Sequence, residues 1–495
     1  MKSTPPIFTK HLTLRGNDSI IKQYISVSLR GERKKALFLA GQLRSEKLNM
    51  TEGPVLGKMI RFTIPVMASG ILQLLFNAAD VAVVGKFAGE AAMAAVGSCG
   101  ALINLIINLF IGLAVGAGVI AAQELGARRY DEVDKLISTA LTASIVGGIA
   151  VMVFGVAMAE PLLRLMDTPE DVLAEAVPYM RAYFCGMPGC LVYNYMAAIL
   201  RSSGDTKRPL FFLSAAGVVN VVLNLIMVLG FHMGAIGVGI ATAASQYVAA
   251  GLTLLYMSKT KTSLRLAGFK VYRQKLIRMI TIGLPAGLQG CMFSLSNVII
   301  QSAVNAYPTV TIAGNTAAGN LEGFVYTAMN SVYQAAVTFV GQNVGAGKYE
   351  RIKKIAFQCA AMVFVIGFTL SSALVLLGDK LLLIYASGEN RDLIVQAGMN
   401  RLSIIAATYF LCGLMDVGCG ILRGMGKAMQ PMIVSLLGSC VFRIIWVFTV
   451  CPLYPNNILA LYISYPISWI LTGGVHYLFC FYFYRKLMKK REAVL

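Results

Sequence analysis

The sequence predicts an all-α membrane protein: twelve transmembrane helices in two six-helix bundles related by a pseudo-two-fold axis along the membrane normal. Three observations predict it. Hydrophobic residues make up 57% of the 495 positions and charged ones 13%, with a mean hydropathy of +0.70, a balance that soluble domains of this size do not keep. Twelve apolar stretches are long enough to cross a hydrocarbon core of ~30 Å at ~1.5 Å per residue. The first half of the text also recurs in the second.

In chain order, residues 1–50 form a polar, basic cytoplasmic extension with one cluster at Arg33-Lys34-Lys35 and no apolar core of a signal peptide. Met50-Thr-Glu-Gly-Pro has the form of a natural beginning. It places the start of translation at Met50, an expectation that a mature N-terminus at Met1 would rule out. The spans then run 59–84, 92–122, 134–158, 176–200, 209–231, 234–257, 277–304, 312–341, 354–377, 394–422, 431–451 and 458–483.

Alternate connections sort by charge. One set carries Arg128, Arg129, Lys135, Arg201, Lys207, Arg208, the basic run from Lys259 to Lys275, Lys348 to Lys354, Arg423 and Lys427; the other holds only Lys86, Arg164, Lys380 and Arg391. The positive-inside rule makes the first set cytoplasmic, with both termini on that side. Twelve spans satisfy the even number this requires.

Three passages repeat at a nearly constant offset. Ile60-Arg-Phe-Thr-Ile-Pro65 matches Ile280-Thr-Ile-Gly-Leu-Pro285, and Gln123-Glu-Leu-Gly126-Ala127 matches Gln342-Asn-Val-Gly345-Ala346. Ile199-Leu-Arg201-Ser-Ser-Gly204 matches Ile421-Leu-Arg423-Gly-Met-Gly426, each with a proline five residues on. Six spans per copy give both copies the same sense across the bilayer. The chain therefore divides into an amino-terminal lobe (51–257), a cytoplasmic linker (258–276), a carboxy-terminal lobe (277–483) and a basic cytoplasmic tail (484–495). Two such bundles around a cleft form the architecture of alternating access. Pro65 and Pro285 interrupt corresponding helices and are candidate hinges.

Within the first span, Asp80 is the residue that needs a reason. A carboxylate in hydrocarbon costs roughly 2.5–3.5 kcal/mol on insertion scales, so it turns toward a cavity, a partner or an ion. Gln73 and Asn77 lie on its helical face. Other function classes are not supported. A net charge of +20 suggests nucleic acid, but the basic residues fall between apolar runs. The ten cysteines lie mostly inside apolar stretches without a CxxC, and the three histidines share no ligand spacing. Gly341 to Lys348 has the wrong spacing for a nucleotide loop and lacks the Ser or Thr for Mg²⁺. No nucleophile elbow or paired acidic motif marks an enzyme.

From about Thr51 to Leu478 the chain resembles the multidrug and toxic compound extrusion (MATE) family of cation-coupled efflux transporters, in its bacterial branch. The resemblance rests on Asp80 followed by Gly85, the run Gly217-Val-Val-Asn220 to Asn224, the Gln-x-x-Gly-Ala span ends and the duplicated Leu-Arg-x-x-Gly turns. It implies an antiporter that exports small amphipathic organic cations and drugs in exchange for H⁺ or Na⁺, embedded as a monomer in the cell membrane, without cofactor, nucleotide or nucleic acid. It also implies a coupling cluster of Asp80, Asn220, Asn224 and Thr242, where Na⁺ would bind if Na⁺ is the coupling ion. Position 224 is Asn where the family often has Asp, leaving Asp80 as the cluster's only acid. Counting rise per residue puts Asn224 roughly 23 Å from the cytoplasmic end of its span and Thr242 roughly 12 Å from the outer end of its own. Both fall in the outer half of the membrane, with Asp80.

In the second lobe, Asp416 aligns with Asn194 and occupies the place of a tenth-span Asp that takes part in coupling in Na⁺-driven relatives. Their seventh-span Glu, expected near Phe293 and Ser294, is missing. Glu322 and Arg443 lie roughly 15 and 12 Å below the outer surface, close enough in depth to be expected as a neutralised pair. The functional alternative has Glu322 facing the cleft to recognise cationic drugs while Arg443 sets its charge. Tyr193, Tyr195, Tyr326, Tyr333, Met196, Met329 and Met415 offer a pliable wall for amphipathic cations, although most of them read as ordinary packing. The alternative cargo is a lipid-linked precursor moved by a flippase of the same superfamily, which asks for a cationic cleft; the spans are expected to hold few buried basic residues beyond Arg443.

Overall fold

The computed structural model describes residues 49–266, 268–386, 390–455 and 457–492. Most of the basic extension therefore lies outside the described residues. Twelve helical segments follow, and no strand occurs among the described residues. They are α1 (Val55–Phe87), α2 (Glu90–Gly126), α3 (Tyr130–Leu165), α4 (Glu170–Cys185 with Met187–Ser202), α5 (Lys207–Gly230) and α6 (Gly234–Lys259). The second six are α7 (Arg273–Val304), α8 (Thr309–Gly345), α9 (Glu350–Leu382), α10 (Arg391–Thr408 with Phe410–Gly424), α11 (Met429–Leu453) and α12 (Leu459–Glu492).

Eight of these helices are individually long and apolar enough to span a membrane, and the two-piece helices α4 and α10 bring the number to ten. The remaining two, α8 and α12, are 37 and 34 residues long. Their hydropathy is diluted by polar side chains that are buried, among them Asn315, Glu322, Gln342 and Asn343 on α8 and Ser464, Ser468, Thr472 and His476 on α12. Polarity directed into protein does not meet lipid.

The repeat in the text is a repeat in backbone geometry. α4 and α10 bend by 44° and 42° at equivalent points. Both end in the same closure: Gly204 and Gly426 take φ of 88° and 79°, which glycine adopts without strain. Asp205 N–H then bonds Leu200 C=O, and Lys427 N–H bonds Leu422 C=O, at 3.2 and 2.9 Å. This is the six-to-one bond of a Schellman end. α2 and α8 close alike, except that Arg128 (φ 57°) occupies the left-handed position that Gly347 (φ 68°) fills in the other copy.

All the basic connections and both ends of the described chain gather at one face. There the halves meet without room for side chains. A Cβ on Gly112 would lie 2.0 Å from the Gly287 nitrogen, and one on Gly345 would lie 1.8 Å from the Gln123 carbonyl oxygen. Two equivalent glutamines then bond across the axis: Gln123 Nε2 donates to Gly424 C=O at 3.0 Å, and Gln342 Nε2 to Ser202 C=O at 2.7 Å. Glu124, 3% exposed, takes Lys275 and Arg278 of α7 at 2.9 Å each. Beyond Leu105 and Ser294 no such backbone contact joins α2 to α7 among the described glycines. The lobes are shut at the basic face.

The lobes also exchange half-helices. Val55, Met59, Phe62 and Val66 of α1 pack into the core built by α8, α9 and α10, whereas Met279 and Ile282 of α7 pack among residues of α2 to α6. Farther along, α1 returns to its own half, with Phe76 filling the space over Gly217 of α5. Pro65 and Pro285 are buried within continuous helices near these handovers, and each lacks the N–H that would complete the helical ladder.

Substituting Gly287 with Ala puts a methyl group 2.3 Å from the Leu109 carbonyl oxygen. Overpacking of that kind costs about 1–3 kcal/mol. A lowered melting temperature in detergent is expected, together with slower cross-linking of a cysteine pair placed at Gln123 and Gly424.

Candidate transport sites

In the first half, α1, α5 and α6 bring together the four residues expected there. Asn224 Nδ2 donates to Asp80 Oδ1 at 2.5 Å and reaches Asn220 Oδ1 at 3.4 Å, while Asn220 Nδ2 donates to Thr242 Oγ1 at 3.3 Å. Asn220 and Asn224 stand one turn apart on α5, so both amides face α1. They are buried, Asn224 completely. Asp80 has no cationic side chain within 4 Å among the described residues; its partners are the Asn224 amide and the Thr242 hydroxyl. Asn224 Oδ1 is buried without a partner, so the cluster keeps a free oxygen beside the carboxylate. Oxygen donors of this kind suit a proton or a hard cation. Among the described residues no group of three His, Cys, Asp or Glu is arranged to hold a metal.

The second half contains a cavity of about 400 Å³ walled by α7, α8, α10, α11 and α12. Glu322 and Arg443 both line it, but they do not pair. Glu322 is held instead by Arg401 in a two-pronged ion pair, Nε to Oε1 at 3.0 Å and Nη2 to Oε2 at 2.7 Å. Arg401 Nη1 also donates to Asn315 Oδ1 at 2.7 Å, and Tyr462 donates to the same oxygen at 3.2 Å. The planar fork of a guanidinium matches a carboxylate face on, and α10 runs beside α8 where that match is possible. Arg443, on α11, donates to Ser468 of α12 at 2.8 Å and lies 4.2 Å from the Tyr465 ring centre. Glu322, 3% exposed, thus pairs with Arg401 and not with Arg443.

Arg401 escaped the reading of the sequence although it is a lone charge inside an apolar span. The cue that singled out Asp80 applied to it equally, but its position near the start of the tenth span let it pass as part of the boundary. Asp416 lines the same cavity and makes no ion pair or hydrogen bond with the described residues.

A second cavity, about 220 Å³, lies between the lobes, just inside the closure at the basic face. Arg201 and Arg423 line it. The expectation of little buried basic character beyond Arg443 is therefore overturned: Arg201, Arg401 and Arg423 also face internal space. Each sits near the end of a span, where sequence counting assigns a basic residue to the water-facing loop. Three of the side chains read as packing also line cavities, Tyr326 and Met415 in the second half and Tyr333 between the lobes. Tyr193, Tyr195, Met196 and Met329 are buried in the packed cores.

A duplicated all-helical body with polar clusters inside its membrane-spanning half-shells, and cavities both within and between them, defines a membrane transporter and not an enzyme. The MatE family profile matches residues 65–226 and 285–449, once in each half, and the chain belongs to that family, the MATE transporters. Curated relatives include the probable multidrug resistance protein YoeA of Bacillus subtilis, 25% identical over 443 residues, covering 88% of this chain and 94% of the relative. Multidrug export protein MepA of Staphylococcus aureus is 20% identical over 409 residues, covering 82% and 90%. Among solved structures, a MATE protein in complex with MaL6 superposes with a TM-score of 0.84 at 20% identity, covering 89% of this chain and 99% of that one. An outward-facing MATE family transporter of the MOP superfamily gives 0.83 at 21% identity, covering 89% and 98%.

Breaking one side of the buried Glu322–Arg401 pair leaves an uncompensated charge, a loss of about 3–5 kcal/mol. Arg401→Gln is expected to lower the melting temperature well below that of Arg443→Gln. The exchange Glu322→Arg with Arg401→Glu is expected to recover part of the loss, and thermal unfolding in detergent measures all three.

Proposed function

We propose that the protein is a secondary active antiporter that exports amphipathic organic cations and related drugs in exchange for H⁺ or Na⁺ by alternating access. The observation that carries this reading is Asp80, a carboxylate held by Asn224 with no cationic partner among the described residues. Such a group is left to be neutralised by an ion that comes and goes. When it is loaded, the carboxylate, the amides of Asn220 and Asn224 and the Thr242 hydroxyl pull α1, α5 and α6 together. When it is empty, the bare charge favours an arrangement that hydrates it. Because α1 also packs in the opposite half near Pro65, a change in its outer part biases the closure at the basic face. Pro65 and Pro285 serve as the hinges of this movement.

Cargo recognition is assigned to the second-half cavity. Its 400 Å³ falls in the range of drug-sized pockets, about 300–1,000 Å³. Asp416 faces it as a free acid beside Tyr326, Tyr409 and Trp469, a combination that attracts organic cations through charge and ring faces. The basic face is cytoplasmic by the positive-inside rule, which places both termini in the cytoplasm and makes this arrangement the one shut to the cell interior. The working unit is a monomer in the cell membrane. The names of the relatives, multidrug resistance and multidrug export proteins, support the same direction of transport.

A second reading, a flippase for a lipid-linked precursor, draws support from the basic side chains that face the cavities.

Asp80→Asn is expected to fold and to reach the membrane but to reduce dye efflux from everted vesicles to background. An imposed proton gradient and an imposed Na⁺ gradient, each applied alone, identify the coupling ion. Unchanged efflux in the variant removes Asp80 from the mechanism, and failure of any organic cation to move under either gradient favours the flippase.

A further inference from the structure

The cavity between the lobes carries two guanidinium groups and no carboxylate among its lining residues. They occupy equivalent places in the duplicated Leu-Arg-x-x-Gly turns, Arg201 at the end of α4 and Arg423 at the end of α10. Arg423 is fixed in place: Nη1 donates to the Tyr333 hydroxyl and Nη2 to Gln289 Oε1 at 2.8 Å. Neither partner carries a charge; the acid that acts on Arg423 is Asp416, two turns earlier on α10, which lines the other cavity and makes no ion pair with it, and the Arg423 Nε is buried without an acceptor. Arg201 makes no ion pair or side-chain hydrogen bond with the described residues. The acid nearest to it in sequence, Asp205, is taken by Arg208.

A guanidinium withdrawn from bulk water without a counter-charge is unfavourable unless water or an anion meets it. Here two line one space, whose wall also carries the amides of Asn108, Asn330 and Gln334, of which Asn108 donates to Ser294 and Gln334 to Asn330. The fork of arginine fits the planar edge of a carboxylate and the oxygens of a phosphate. At 220 Å³ the space holds roughly seven waters' volume, enough for a hydrated headgroup but less than a drug-sized body. The remaining wall is largely apolar.

We propose that this cavity binds an oxyanion, a phosphate or carboxylate group, clasped between Arg201 and Arg423. The site goes beyond the export reading and does not depend on Asp80, because its test is binding and not transport.

The test uses the purified full-length protein in a neutral detergent at low salt, titrated calorimetrically with inorganic phosphate, dodecyl phosphate and dodecyltrimethylammonium. Saturable binding of a phosphate that the ammonium amphiphile does not displace is expected. In Arg201→Gln the affinity is expected to fall roughly 10- to 100-fold, the effect of losing a charged hydrogen bond. Arg201→Lys, which keeps charge but loses the fork, is expected to fall between the two. Because Arg201 bonds to no described side chain, both variants should melt at the wild-type temperature without ligand, and the lysine variant preserves the test if the glutamine variant does not. Equal binding of both phosphates identifies a small soluble oxyanion, and binding of dodecyl phosphate alone identifies an amphiphile's headgroup. Binding of neither, equal binding in the Arg201 variants, or displacement by the ammonium amphiphile overturns the proposal.

Discussion

The constraint on which the rest of this structure depends is that hydrocarbon leaves an ionised side chain no solvent to turn to. A charge within the spans must be matched inside the protein or left facing internal space, and two buried acids are matched. Glu322 is clamped by Arg401 at 2.7 Å, and Glu124 by Lys275 at 2.9 Å. Against that background the unmatched groups stand out. Asp80 is held only by neutral side chains, Asp416 faces a cavity without an ion pair or hydrogen bond, Arg443 meets a hydroxyl and aromatic rings, and Arg201 and Arg423 share a space lined by no carboxylate. Matched charges hold helices together. Unmatched ones face internal space or neutral partners.

Duplication supplies the geometry in which those groups act. Gln123 and Gln342 descend from one position and now bond to the ends of α10 and α4 respectively, each crossing to the other half. A symmetric lock of this kind consists of neutral hydrogen bonds and glycine contacts. Opening it therefore exposes no buried charge from these contacts. The ion pairs of Glu124 with Lys275 and Arg278 are the asymmetric addition. In the other copy the matching position is Asn343, which donates to the Met50 carbonyl instead.

The exchange of half-helices explains how a cluster in one lobe reaches the other. The first turns of α1 belong to the core of the second half and its later turns to the first, with Phe76 seated over Gly217 beside the Asn220 and Asn224 turn. The part of α1 that carries Asp80 is thus joined to the part packed at the closure through the single turn that holds Pro65. No long chain of small couplings is needed, since one helix spans both places.

The grouping of Asp80 with Asn220, Asn224 and Thr242 came with the family resemblance; the sequence by itself determined the number of spans, their duplication and the face on which the basic loops gather. Those features are periodic or local: apolar length sets a span, a glycine after Leu-Arg sets a helix end, and residues four apart share a face. Only the tertiary structure decided which charge meets which. Glu322 chose Arg401 over Arg443 because α10, not α11, lies against α8 with a guanidinium at the right height, and rise per residue gives depth but not direction around the bundle. For the same reason Arg201 and Arg423, counted as loop residues, turned out to face one internal space. Depth is written along the chain, whereas azimuth exists only once the helices have packed.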